Sequence, residues 1–370
     1  MNFDFSDDSK LLREQAQRFL REHCPVAVVR RALEGDTPYA AELWRAMAEM
    51  GWLGAAIPER YGGMGLGYEP LCVIAEELGR VLAPVPFLST IGLAAEAILA
   101  AGTEAQKHEY LPRIVRGDLI VGFALAEGPG EPNESAVGVR LADGLISGIK
   151  WPVADGTIAH LAIVAVRDAA GVSLALVDLN ARGVKRAALP MVDPTQDHAR
   201  IQFDSTPASV LGISGHGWET VRRVLDRAAI LTAFAQIGGA RRCLEMATGY
   251  AKERFAFGRP IGSFQAIKHK LADVYVATEL ACSNAYFGAW ATSAEAAELP
   301  LAAATARVSA TEAFFLAAKE SIQVHGGMGF TWEADCHLFY RRAKMLALSL
   351  GSQRHWKDRL VAELETRNAA

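Results

Sequence analysis

Apolar positions first recur at helical spacing. Leu11, Leu12, Ala16, Phe19 and Leu20 line one face of a helix that Asp7 or Asp8 can cap. Residues 42–50 predict a second helix closed by Gly51, and two more are expected at 71–82 and 88–101. Between residues 119 and 212 the period shortens to two. Residues 119–125 form a short buried run, and 137–141 and 145–153 flank Asp143-Gly144, a strong hairpin signal. Residues 161–166 and 172–177 flank a turn through 168–171, and alternation continues over 184–192 and 199–203. After Trp218 the helical period returns. Val221, Val224, Leu225, Ala228, Leu231 and Ala235 form a stripe, and Gly238-Gly239 would let another helix come close. Phe264, Ile267, Leu271, Val274 and Leu280 carry the next helix. Val308, Phe314, Phe315, Ala318 and Ile322 carry a third ending at Gly326-Gly327, and residues 345–364 a fourth. The pattern predicts a multi-domain α+β chain. Helices fill residues 1–118, strands 119–214, and a bundle of roughly four helices 215–370.

Composition narrows the partners. The chain has 370 residues, 51% hydrophobic and 22% charged, with a net charge of −4. That balance gives no reason to expect nucleic acid. No apolar run reaches about 18 residues without charges, so no membrane span is expected. Met1 to Asp8 is acidic and lacks the basic and apolar regions of a secretory signal. Cys24, Cys72, Cys243, Cys282 and Cys336 are scattered and never spaced as a metal pair, and the nine histidines form no ligand set. A cytoplasmic protein without a metal site is the expectation.

Two loops attract attention. Residues 58–67 are glycine-rich but match neither phosphate-binding pattern, which favours a structural connection. At residues 254–265 a long helical pattern stops. Gly258 can take positive φ, Pro260 cannot continue a helix, Ser263 can cap the next one, and Arg254 would complement the dipole of the last turn.

The stretch Lys252-Glu-Arg-Phe-Ala-Phe-Gly-Arg-Pro-Ile-Gly-Ser-Phe-Gln-Ala-Ile-Lys-His269 resembles the signature of the acyl-CoA dehydrogenase family. Gln323-Val-His-Gly-Gly-Met-Gly-Phe330 resembles its second signature, and Arg341-Arg342-Ala-Lys344 follows it. The resemblance covers essentially the whole chain. It implies an N-terminal helical domain, a middle β-barrel and a C-terminal four-helix bundle. It also implies FAD and oxidation of an acyl-CoA thioester across its α and β carbons, with a glutamate taking the α proton. Electron-transfer flavoprotein is the implied acceptor, and FAD lies across a subunit boundary. Arg254, Phe257, Gln265, Gln323, Gly326 and Gly327 would serve a neighbour's cofactor. Arg254 and the Gly326 and Gly327 N–H groups suit its phosphates. Trp151, Glu127 and Ser352 would touch the chain's own.

That second half departs from the family. Where the pattern reads Thr-Glu-Pro-x-Ala-Gly-Ser-Asp, the chain has Ala126-Glu-Gly-Pro-Gly-Glu-Pro-Asn133, and only Glu127 remains. Glu131-Pro132 adds a negative charge and removes an N–H donor. Trp151 is followed by Pro152 and Val153, so the expected hydroxyl is missing. The glutamate of Tyr-Glu-Gly-Thr falls on Leu350 within Ser349-Leu-Gly-Ser352, and its other known location falls on Ala228. Asp226-Arg227 lies about 200° around the helix from there and reads first as a solvated salt bridge. Losing a positioned base lowers the rate on the order of 10²–10⁴-fold.

The resemblance therefore implies one subunit of a heteromeric acyl-CoA dehydrogenase. A related partner chain would supply the glutamate, as in the enzymes acting on steroid side chains. Three readings stand beside it: a homotetramer using Asp226 or Glu131 as base, a flavin-free structural subunit, and an oxidase-like or nitroalkane-oxidising offshoot.

Overall fold

The computed structural model describes residues 7–131 and 133–369. Pro132 and residues 1–6 of the acidic N-terminus lie outside that set. The first helices are α1 (Asp7–His23), α2 (Val26–Leu33), α3 (Ala41–Glu49) and α4 (Tyr68–Arg80). A π-helical stretch at Leu88–Ala95 leads into α5 (Glu96–Ala101), and α6 spans Glu104–Val115. On α1 the buried face is carried by Ala16 and Leu20, while Leu11 is exposed. Thr103 and Gln106 form a reciprocal capping box for α6, two donors satisfied at once. Residues 58–67 are a packed turn: a Cβ on Gly63 would lie 2.0 Å from the Ile57 carbonyl oxygen.

Eight strands follow: β1 (Val121–Ala124), β2 (Arg140–Ala142), β3 (Leu145–Ala154), β4 (Leu161–Asp168), β5 (Gly171–Asp178), β6 (Val184–Ala188), β7 (His198–Pro207) and β8 (Ser209–Val210). They form one curled sheet in the order β6-β7-β3-β2-β4-β5-β8, with β1 parallel to β4. Asp143 and Gly144 both take positive φ, the geometry that closes a two-residue hairpin, and Leu145 pairs Ala142 across it. The β3–β7 register shifts between Lys150 and Val153, where Pro152 has no N–H to give the ladder.

The second helical region holds α7 (Gly217–Glu253), a small hairpin of β9 (Phe255–Ala256) and β10 (Arg259–Pro260), and then α8 (Gln265–Ser293), α9 (Leu299–His325), α10 (Cys336–Leu348) and α11 (Gln353–Ala369). The chain forms two compact units: Met1–Val29 with Tyr68–Ala83 and Ala229–Ala370, and Arg30–Gly67 with Pro84–Ala228. In the first, backbone contact is close at two glycines. A Cβ on Gly238 would fall 1.8 Å from the Glu76 carbonyl oxygen, and one on Gly239 would strike the Phe314 ring at 2.5 Å. By length and composition α9 could cross a bilayer, yet 61% of its apolar window is buried within the protein. It is the core helix of its unit.

Three sequence expectations give way here. The helix expected at 345–364 is broken between Leu348 and Gln353, with Leu350 at φ 61° and Gly351 at φ 103°. Ser263 caps nothing; its hydroxyl donates to the Pro260 carbonyl, and Phe264 is the residue before α8. Arg254 lies one residue beyond α7 rather than in its last turn.

Candidate functional site

The two signature segments meet at one end of the helical unit. Tyr250, in the last turn of α7, stacks on His325 at the end of α9, with ring centroids 4.4 Å apart. Ala247, Ala251 and Val324 form a small core beneath, sealed by Ile261, Ile267 and Leu271. Lys270 on α8 pairs Glu320 on α9 at 2.6 Å. Packing thus fixes the ends of α7 and α9 and the start of α8 together.

What this core carries outward is open. The β9–β10 turn uses Phe257 at φ 52° and Gly258 at φ 76°, and Phe257 is 95% exposed. Its ring meets Phe264 edge-on, while Arg259 covers the Phe264 face at 4.1 Å. Arg254, Gln265 and Gln323 are exposed. Gly326 takes φ 60°, and a Cβ on Gly326 or Gly327 would meet nothing within 4 Å. The Gly326 N–H is taken by the Gln323 carbonyl at the end of α9. Exposed Gly327 and the exposed Arg254 guanidinium at the same end of the unit fit a phosphate-bearing cofactor. Phe255, Met328 and Phe330 add exposed apolar surface to the same segments.

The residues expected to face the chain's own cofactor are engaged internally. Glu127 Oε1 accepts from Lys150 Nζ at 2.7 Å and from the N–H groups of Gly138 and Val139 at 2.9 and 3.1 Å. Burial alone would raise the Glu127 pKa; Lys150 and those N–H groups outweigh it and lower it. Lys150 has no exposed side-chain surface, donates also to the Leu125 carbonyl, and burial pushes its amine down to about 8. Expected as a cofactor contact, Glu127 is the anchor of an internal clip. Trp151 is half-buried, and its indole lies against Gly128. Its backbone N–H donates to the Ala126 carbonyl at 2.9 Å, beside a bridge between Glu127 and Trp151. Glu131 is exposed on the same loop.

The 349–352 break is also tied down from within. Arg307 on α9 is fully buried, and one of its terminal nitrogens donates to Gln236 Oε1 at 2.7 Å and Thr311 Oγ1 at 2.8 Å. The other donates to the carbonyls of Leu346 and Ser349 at the end of α10, where the helix dipole is negative. Burial pushes this guanidinium down to about 9. Trp356 Nε1 holds the Leu350 carbonyl at 3.1 Å. Leu350 itself sits in the left-handed region, unfavourable for a bulky side chain, at the place where the family pattern puts its glutamate. Ser352, expected at the cofactor, instead accepts the His355 N–H through its hydroxyl and caps α11. Ala228 is buried core. Asp226 is only 4% exposed and Arg227 pairs Glu96 at 2.6 Å, so a solvated surface pair is not what forms. Sequence reasoning misses both Lys150 and Arg307. Single buried cations carry no local spacing that would announce them.

Against this geometry, residues 6–118 match the family model for the acyl-CoA dehydrogenase N-terminal domain, and residues 215–362 the model for the C-terminal domain. Acyl-CoA dehydrogenase IpdE2 of Mycobacterium tuberculosis is 36% identical over 361 residues, which is 97% of this chain and 98% of that one. Among solved structures, a chain of a variant of the Tcur3481-Tcur3483 steroid ACAD is 30% identical with a TM-score of 0.89, covering 98% of this chain and 99% of its own. A chain of the ChsE4-ChsE5 complex from Mycobacterium tuberculosis is 26% identical with a TM-score of 0.90, covering 99% of both. The two signatures, the helix–sheet–helix order and these full-length similarities agree: the chain belongs to the acyl-CoA dehydrogenase family of FAD-dependent oxidoreductases.

Proposed function

We propose that this chain is the non-catalytic subunit of a heteromeric acyl-CoA dehydrogenase acting in the cytoplasm on a steroid side-chain CoA thioester. A paralogous partner carries the glutamate. The observation that carries the reading is Leu350: the loop is retained and held in place, and its side chain cannot take a proton. Similarity to chains of the ChsE4-ChsE5 complex and of a two-component steroid enzyme supports the assembly and the substrate class. Electron-transfer flavoprotein is the proposed electron acceptor.

FAD, when bound, supplies the hydride acceptor of this family's reaction. This chain's part is binding. Arg254 and the N–H group of Gly327 hold phosphate oxygens, Gln265 and Gln323 offer side-chain amide hydrogen bonds, and Phe257 covers apolar surface. Trp151 supports the 126–130 loop.

The test is visible flavin absorbance per chain, measured on this protein purified alone in excess FAD and again after co-expression with its paralogue. The proposal expects almost none alone and about one flavin per pair of chains together. Near-stoichiometric flavin in the isolated chain, bleached by an acyl-CoA, would overturn it in favour of a homotetramer. No flavin in either preparation would leave a structural subunit.

A further inference from the structure

A cleft of about 380 Å³ opens in the helical unit between the ends of α1 and α4, the second half of α7 and the start of α10. None of the signature residues lines it. Part of its wall is apolar, made by Leu20, Val26, Leu338 and Phe339, and Val26 is exposed.

Three guanidiniums also line it, from Arg21, Arg80 and Arg242. Arg80 is matched by Glu245, whose two oxygens lie 2.6 and 2.5 Å from Nη2. Arg242 reaches the same carboxylate only at 3.5 Å. Arg21 is exposed and makes no ion pair among the described residues. Two of the three cations therefore lack a close counter-ion.

The buried acid of the wall is Glu77, with a side chain 3% exposed; Asp335 is the other carboxylate in the lining. Gln17 donates to it at 3.0 Å, but Arg13 and Arg80 stay at 3.7 and 4.0 Å because Glu76 and Glu245 hold them closer. Burial pushes its carboxyl up to about 7, with Glu76 beside it acting in the same direction. The remaining titratable groups of the cleft are Cys24 and Asp335. Burial raises the Cys24 thiol to about 12, which leaves it neutral.

We propose that this cleft binds a small amphipathic carboxylate, its head between Arg21 and Arg242 and its apolar body against Leu20, Val26, Leu338 and Phe339. The walls alone would accept any hydrophobe; the under-partnered guanidiniums select an anion, because their planar fork matches a carboxylate and repels an amine. Glu77 tolerates the incoming charge when protonated and opposes it when ionised. Binding therefore takes up a proton and weakens as pH rises through neutrality.

Octanoate is the probe, titrated into the intact chain and, separately, into its complex with the paralogue. The readout is the ¹³C-methyl signal of Met246, which lines the cleft and is assigned through Met246→Leu. The proposal expects a saturable shift, with affinity about five-fold weaker at about pH 8 than at about pH 6. Replacing both Arg21 and Arg242 by alanine should weaken binding about ten-fold or more. Glu77→Gln should keep binding and flatten its pH dependence. A Met246 signal that does not move in either preparation overturns the proposal. So does equal binding of octylamine, or undiminished octanoate binding by the double-alanine variant.

Discussion

The 254–265 and 323–327 segments differ from the 126–154 and 349–352 segments in where their polar groups point. In the first pair, the side chains of Arg254, Gln265 and Gln323 and the backbone of Gly327 are exposed above a small apolar core, while the Gly326 N–H closes α9 on the Gln323 carbonyl. In the second pair, Glu127, Ser352 and the Leu350 carbonyl are satisfied within the chain. Both pairs carry recognisable sequence traces, yet only one keeps donors available to something else. The polar groups of the first pair are exposed, and those of the second are satisfied by the fold itself. The contrast predicts that substitutions in one region change binding while those in the other change stability.

Arg307→Met should have the largest effect. It leaves Gln236 and two helix-end carbonyls short of donors, and should cost about 3 kcal/mol in urea unfolding while the flavin content of the assembled protein is kept. Loss of flavin with unchanged stability would break the contrast. Arg254→Glu is the mirror experiment: about thirty-fold weaker flavin retention by the co-expressed assembly, with the melting temperature of the isolated chain unchanged.

Lys150 sharpens the comparison through pH. Its amine titrates near 8 when folded and at its ordinary 10.5 when unfolded. Between those values the unfolded chain binds more protons, so this group makes stability rise with pH across that window. Lys150→Met should flatten the rise by an amount on the order of 1–2 kcal/mol in denaturant titrations at successive pH values. The smallest effect belongs to Phe257→Asn. Asparagine tolerates positive φ better than phenylalanine, so stability should increase by about 0.5 kcal/mol while flavin retention falls. A gain in both would remove Phe257 from the binding surface.

Much of this is legible in the residues themselves. Asp143-Gly144 announces its hairpin because both residues accept positive φ, and Gly238-Gly239 marks a close backbone approach because no larger residue fits. Thr103 and Gln106 carry a capping signal for α6, a helix that apolar periodicity alone does not reveal. The break at 349–352 is hidden for a physical reason. Leu350 has no local preference for a left-handed backbone, and the carbonyl of its neighbour Ser349 is held by Arg307, 42 residues away. Glu127 stands out by its place in the signature, but its role depends on Lys150, 23 residues away, and on two backbone N–H groups. Local turn chemistry is readable from neighbours; partners distant along the chain are not.

Arg307 also bears on how the C-terminal helices open. Its two terminal nitrogens hold α7 through Gln236, and hold carbonyls at the end of α10 from the first half of α9. The end of α10 cannot fray on its own without stranding a buried cation. Amide protons near the close of α10 should therefore exchange with solvent in the same cooperative event as those around Arg307 in α9. The exposed tail of α11 should exchange first and independently.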